Sequence, residues 1–416
     1  MAKAVSLTAL LFAAVIAAKL VACSPFGGAS AFSCTQDNEC QGTFDGRCEP
    51  NGFCSFPDEA CGAGGRSYGD LSGGGLSGTC VGSEPPIDAP PDAPDAPLPE
   101  AGETCLGTGL EMPCFSAPPT GAVTLAMAID TDVSPLCSTM VSNSTACVIA
   151  GGTIQIDAGT TVVVTGTKAL VLAATTTVTI NGTLDVSSKR GVITPGAAAN
   201  DTTCDNGTAA NTSGGGGGGS FGTKGGNGGG PNGATSGNAP AAPATLRGGC
   251  KGTDGKDGSV ADRHGVGANS GGAVYLIGGT AVSIGTTGVI NASGAGATNG
   301  VNGDAGGGGG GSGGMIGLDS PAVTNTGLVF ANGGGGGEGS GNANAGAPGS
   351  DPTGTGAAPG GANGSGNGGD GGNGGAVTAP QNGATGSSGG GGGGSAGIIR
   401  VFPLQALGGN VSPTPI

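Results

Sequence analysis

The residues with the clearest chemical potential are carboxylates gathered near a single imidazole. His264 is the chain's only histidine. It closes a charged run that also holds Asp254, Lys256, Asp257, Asp262 and Arg263. Paired carboxylates can act as acid and base on glycosidic bonds, and carboxylate-bound Ca²⁺ with a basic residue serves lyase chemistry. The run lies among glycines, however, and glycine neighbours do not hold catalytic groups rigid. A solvated loop is therefore expected, with Asp254, Asp257 and His264 as weak catalytic candidates. Asp185, Lys189 and Arg190 end a strand-like segment, where such charges ordinarily face water. One histidine excludes a two-histidine metal site. Residues 368–373 approach a calcium-binding Gly/Asp repeat, but Asn373 stands where that pattern needs Asp, and the string does not recur. No metal and no cofactor are expected.

The elements that must position these groups are unusual in composition. The 416 residues include 99 glycines and 26 prolines, no tryptophan, and only 3% aromatic and 10% charged residues. Glycine and proline together average about 12% in ordinary proteins. A compact enzyme with an aromatic core, a long coiled coil and a collagen repeat are all excluded. A net charge of −15 speaks against nucleic acid as a partner.

The first 22 residues read as an export signal: Lys3, then an apolar run too short to span a bilayer. Leu20, Ala22 and Cys23 resemble the lipobox of bacterial lipoproteins, with Lys19 a departure from it. The resemblance implies acylation of Cys23 and a membrane held through acyl chains rather than a helix. Ser24 after that cysteine points to the outer membrane within the same family's sorting rules. Plain secretion is the alternative.

Thirteen cysteines are an odd number, and assigning Cys23 to lipid leaves twelve. Cys34, Cys40, Cys48, Cys54, Cys61 and Cys80 form one group. Cys105, Cys114, Cys137 and Cys147 form a second, and Cys204 and Cys250 a third. No paired Cys-x-x-Cys spacing suggests zinc, so an exported disulfide framework is expected. Fifteen pairings of the first six remain open. Residues 23–81 are then a lipidated cysteine followed by a stapled module, too poor in apolar residues to fold unaided. The run from Cys48 to Asp58 resembles cysteine-rich modules at the head of secreted lipoproteins in myxobacteria and their relatives. Residues 82–104 are an acidic, proline-rich linker favouring polyproline II, about 60–70 Å if extended. Residues 105–147 form a cysteine-containing entry region.

From 148 to 405, period-2 patterns recur in sets of three. First strands are Ala169–Leu172, Ala273–Leu276, Met315–Leu318 and Ile398–Val401. Second strands centre on Val178–Ile180, Val282–Ile284 and Val323–Asn325. Third strands carry Leu184/Val186, Ile290/Ala292 and Val329/Ala331. Short repeated strands with one aliphatic row suit a parallel β-helix, whose coils pair only by stacking. An all-β fold is expected: a right-handed parallel β-helix with long Gly-rich insertions, a small disulfide-rich module before it and a tail at 406–416. A β-sandwich competes, but its connections should be short. Glycine tracts at about 191–270, 293–313 and 332–396 each follow a third strand, so they should leave from one side. Two states are open for them: flexible loops, which the entropy of polyglycine favours, and stacked polyglycine II helices.

The composition and strand pattern resemble Gly-rich β-helical surface proteins of bacteria. Together with the lipobox, this implies a non-enzymatic cell-envelope lipoprotein of structural or adhesive role. Its partners would be the membrane through the acyl anchor, extracellular polysaccharide, or other envelope proteins. A surface-anchored polysaccharide lyase or hydrolase on the same fold is the competing function.

Overall fold

The computed structural model describes residues 34–40, 45–62, 65–70, 72, 76–82, 103–138, 141–241, 243–258, 263–342, 344–364 and 367–416. The signal segment, Cys23 and nearly all of the acidic linker lie outside these residues. The chain divides into two units, Met1–Pro94 and Asp95–Ile416. Among the described residues there is no α-helix, and no helix is long and apolar enough to cross a membrane.

In the first unit, β1 (Arg47–Cys48), β2 (Cys54–Pro57) and β3 (Arg66–Tyr68) form one antiparallel sheet. Its core is largely sulfur: Cys34, Cys40 and Cys54 are buried together, with Cys48 and Phe56 against them. The pairings are Cys34–Cys48, Cys40–Cys54 and Cys61–Cys80. Loops of 14, 14 and 19 residues each contribute about 3 kcal/mol in the chain-entropy account.

The second unit opens with β4 (Thr104–Cys105) and β5 (Cys114–Phe115), an antiparallel pair bridged by Cys105–Cys114. Then come β6 (Ala122–Thr124), β7 (Ile129–Asp130), β8 (Cys147–Ile156), β9 (Thr161–Thr165), β10 (Leu170–Ile180) and β11 (Thr183–Asp185). After the first glycine tract follow β12 (Ala273–Gly278), β13 (Ala281–Ile284) and β14 (Val289–Asn291). The next pass gives β15 (Met315–Asp319), β16 (Val323–Asn325) and β17 (Leu328–Phe330), and the last gives β18 (Ile398–Phe402) and β19 (Asn410–Ser412).

Two parallel sheets result. One contains β6, β8, β10, β12, β13, β15, β16 and β18. The other is ordered β19-β17-β14-β11-β9-β7. Successive passes stack in register, so like side chains meet. Ile149, Leu172, Leu276, Leu318 and Val401 form one column. Val162, Leu184, Ile290, Val329 and Val411 form the facing one. Nearly all of these join a single buried core, with Val411 packed on its margin. Burying each leucine or isoleucine stabilises by roughly 1.5–3 kcal/mol.

Two sequence expectations change in detail. The first and second strands of the early repeats are fused: β10 runs through both, with a register irregularity against β8 between Ala174 and Thr177. Parallel pairing also extends beyond 148–405. β6 and β7 in the entry region pair with β8 and β9, and β19 in the tail pairs with β17.

The outer face of the first sheet is covered too. Phe115 packs on Val148, Val171, Ala173, Tyr275 and Ile277, with Leu106 and Leu110 beside it. Asp319 clamps this cover. It is 2% exposed and accepts hydrogen bonds from Thr108 N (2.6 Å), Gly109 N (2.8 Å) and Tyr275 Oη (2.9 Å). A side chain at Gly109 would collide with Tyr275 and Phe402.

Among the described residues the glycine tracts are ordered. Residues 306–314 run as a straight hub, buried throughout, with hydrogen bonds in period three. Gly307, Gly310 and Gly313 donate to Gly389, Gly392 and Ser395. Gly308, Gly311 and Gly314 donate to Thr298, Ala295 and Ala292. Gly306, Gly309 and Ser312 donate to Lys256, Thr253 and Cys250. The hub accepts from three more segments, around 216–219, 265–271 and 334–337. Six neighbours around one threefold helix is the packing of polyglycine II, so the stacked alternative holds and the flexible one does not. Entropy is overcome because the tracts leave one corner of the stack and satisfy one another's backbone groups. Cys204–Cys250 closes a 46-residue span of the first tract.

Candidate functional site

The charged run starts beside the hub near the strands, at Cys250, and by Lys256 has reached the end of the glycine layer far from them. Lys256 N donates to Gly214 O, and Gly306 N donates to Lys256 O at the distal end of the hub. Nine hub residues at about 3.1 Å each put that end roughly 25–28 Å from β15. Asp254 is exposed and its Oδ1 accepts from Gly267 N at 2.8 Å. Asp257 is buried and bridges Ala305. His264 Nδ1 is shut from solvent and makes no hydrogen bond among the described residues. No hydrogen bond or ion pair joins Asp254 to His264 among the described residues, and Asp262 lies outside them. The carboxylate of Asp254 serves the loop's own backbone, as a solvated turn requires. The second sequence candidate is equally local: Asp185 pairs with Lys189 at 3.4 Å and accepts from Ser187 N. At 368–373, Asn373 Oδ1 accepts from Gly360 N within the glycine layer.

All twelve cysteines from Cys34 to Cys250 are in disulfides, including Cys137–Cys147. The Cys34, Cys40 and Cys54 sulfurs lie close enough to suggest a metal cage, but each is bonded to another sulfur and offers no thiolate. Six disulfides mark a chain matured in an oxidising or extracellular setting.

The structure assembles a different site. An open cleft of about 730 Å³ lies where the entry region meets the start of the first glycine tract. Its wall carries Glu111, Asp130, Asp132, Lys168, Asp201 and Arg247, with Thr145, Thr165, Thr167, Thr194, Thr202 and Asn200 between them. Asp130 ends β7, which pairs with β9; Thr165 ends β9; Lys168 follows in the turn to β10. Stacking therefore fixes the spacing of these groups.

Each acid is oriented. Glu111 Oε2 accepts from Ser144 Oγ at 2.9 Å. Asp130 Oδ1 accepts from Asp132 N at 3.0 Å. Asp132 accepts from Thr167 Oγ1 at 2.6 Å and Thr167 N at 2.9 Å. Asp201 Oδ1 accepts from Thr203 N at 2.7 Å and lies 3.4 Å from Arg247 Nη1. The Arg247 guanidinium stands 5.2 Å over the buried Phe221 ring, a cation–π contact that fixes it. Burial raises the Glu111 carboxyl above its ordinary range. The Thr167 hydroxyl and amide lower Asp132 below its own. Two carboxyls driven apart in this way can hold one proton and one charge in the same pH range.

No sequence pattern points to this cleft. Its acids span 111–201 and share no local spacing. The nearest signal is the Asp130-Thr131-Asp132 triplet beside a strand. No family model, no curated protein and no solved structure matches the chain.

Proposed function

We propose that this protein is a cell-envelope lipoprotein of structural or adhesive role. In this reading Cys23 carries the acyl anchor and holds the chain at the outer membrane. Residues 82–104 act as spacer, and a right-handed parallel β-helix is displayed beyond them, as in the Gly-rich surface proteins that the sequence resembles. The observation that carries the reading is the hydrogen-bonded glycine layer. It buries little side-chain chemistry and ties its segments together through backbone hydrogen bonds, which suits a structural role. The six disulfides support an exported location.

The test is fractionation of cells making the full chain. Parent protein should partition with membranes and incorporate labelled palmitate. Cys23→Ala should lose the label and enter the soluble fraction. Unlabelled parent protein in the soluble fraction would refute anchoring.

A carbohydrate-active enzyme is the second reading, favoured by the carboxylates Glu111 and Asp132 lining one open cleft. It predicts new reducing ends when the chain meets matrix polysaccharides, lost on Glu111→Gln. Release that instead depends on Asp254, Asp257 and His264 would place the chemistry at the distal loop.

A further inference from the structure

The cleft has a composition that narrows its ligand. Its wall mixes carboxylate, amide, hydroxyl, ammonium and guanidinium groups with small apolar surface from alanines, Pro195 and Leu246, and among the described residues no aromatic side chain lines it. A ligand with alternating hydroxyl groups and C–H faces suits such a mixed wall. Four carboxylates face two cations, so the wall repels a polyanion. Asp132 is engaged through both oxygens, whereas Glu111, Asp130 and Asp201 are anchored through one oxygen each. Among the described residues no hydrogen bond reaches Glu111 Oε1, Asp130 Oδ2 or Asp201 Oδ2. An ionised carboxylate oxygen accepts strongly from hydroxyl groups. Threonine hydroxyls and Lys168 supply donors nearby. A ligand that donates and accepts along its whole length matches that alternation, and a chain of sugar hydroxyls is such a ligand.

The wall is also prepared in advance. β7 and β9 are paired, Cys137–Cys147 fixes the segment ahead of β8, and Cys204–Cys250 fixes the segment behind Asp201. Little ordering remains to be done on binding, which favours affinity for a weakly contacting ligand. A volume of about 730 Å³ accommodates two or three sugar rings.

We propose that this cleft binds a short stretch of non-anionic polysaccharide, with Glu111, Asp130 and Asp201 accepting hydrogen bonds from its hydroxyl groups. The proposal rests on the adhesive reading and gives it a site. The raised titration of Glu111 is consistent with a carboxyl that waits, partly desolvated, for a partner.

The test is calorimetric titration of the purified chain with maltohexaose, cellohexaose, glucosamine hexamer, N-acetylglucosamine hexamer and hexagalacturonate. At least one of the first four should bind, and hexagalacturonate should bind at least about tenfold more weakly than the best of them. Asp130→Asn and Glu111→Gln should each weaken that ligand about tenfold or more, the usual size of a lost charged hydrogen bond. Both changes keep an oxygen for the existing bond to Asp132 N or Ser144 Oγ, and circular dichroism checks the fold. If Asp130→Asn fails to fold, Glu111→Gln decides alone. Unchanged binding in folded variants overturns the cleft while leaving adhesion elsewhere on the chain. Preferential binding of hexagalacturonate, or of none of the five, overturns the proposal. So does calcium binding that Asp130→Asn abolishes without any sugar binding. Membrane anchoring is read by acylation of Cys23, so its failure and the failure of this site are separate results.

Discussion

The strand stack and the glycine layer belong to one unit and touch along its length, yet they are held by opposite means. In the stack, columns such as Leu172–Leu276–Leu318–Val401 gain by removing apolar area from water. In the layer, the hub 306–314 gains by pairing backbone groups with six neighbours. Side chains make the first and their absence makes the second. The teaching is that packing density, not hydrophobicity, is common to both. It follows that the stack should be most sensitive to losing atoms and the layer to gaining them.

Removal in the stack should have the largest effect. Leu172 is fully buried within its column, between Ile149 and Leu276. Leu172→Ala leaves a cavity and should lower stability by about 2–5 kcal/mol, read by denaturant titration. A loss under about 1 kcal/mol would mean that the stack is looser than its registers imply. Next is the covalent tie of the layer. Replacing Cys204 and Cys250 together with Ala frees a 46-residue span and should cost up to about 4 kcal/mol. Amide exchange at 215–229 should then quicken more than at β12. Equal quickening would show that layer and stack open together.

Addition in the layer comes third. A Cβ at Gly309 would lie 2.0 Å from Gly217 O. Gly309→Ala should cost about 1–3 kcal/mol, as overpacking does. Gly354 supplies the control, because nothing lies within 4 Å of a Cβ there. Gly354→Ala should fall within about 0.5 kcal/mol of the parent or slightly above it. Similar melting temperatures for the two variants would refute the close-packed layer.

This contrast also explains what the sequence could disclose. Period-2 rows such as Val282/Ile284 and the tract positions after each third strand were readable, because alternation and punctuation are local. The state of the tracts was not. Gly307 and Gly389 are 82 residues apart and look alike in sequence, so only the shared corner hinted that they pair. The fusion of β10 escaped for a similar reason: Ala174-Thr175-Thr176 looks like a break, yet pairing with β8 carries the strand across it. The first module's disulfides were countable but not connectable. The cleft was invisible because Glu111, Asp132 and Asp201 meet only after the passes stack, and the conspicuous charged run at 254–264 drew attention to a loop whose Asp254 serves its own backbone.

The smallest expected effect lies at the seam between the two regions, and its sign is diagnostic. Glu111 sits in the cleft wall with its carboxyl raised above the ordinary glutamate value of 4.5, chiefly by burial, while the Ser144 hydroxyl opposes the shift. A raised carboxyl holds its proton more tightly in the folded chain than in the unfolded one. Between the ordinary value and the raised one, the folded state therefore binds more protons, and stability falls as pH rises through that window. Above it the penalty is complete. Glu111→Gln removes the charge and can still accept from Ser144 Oγ. The variant should match the parent near pH 3 and melt slightly higher at pH 7, with the difference opening across the window. Melting curves from pH 3 to 7 measure this directly. A variant that is less stable at pH 7 would mean that the ionised Glu111 is compensated by a cation of the wall, Lys168 or Arg247. The cleft would then be a settled ion-pair network rather than a surface waiting for hydroxyl groups.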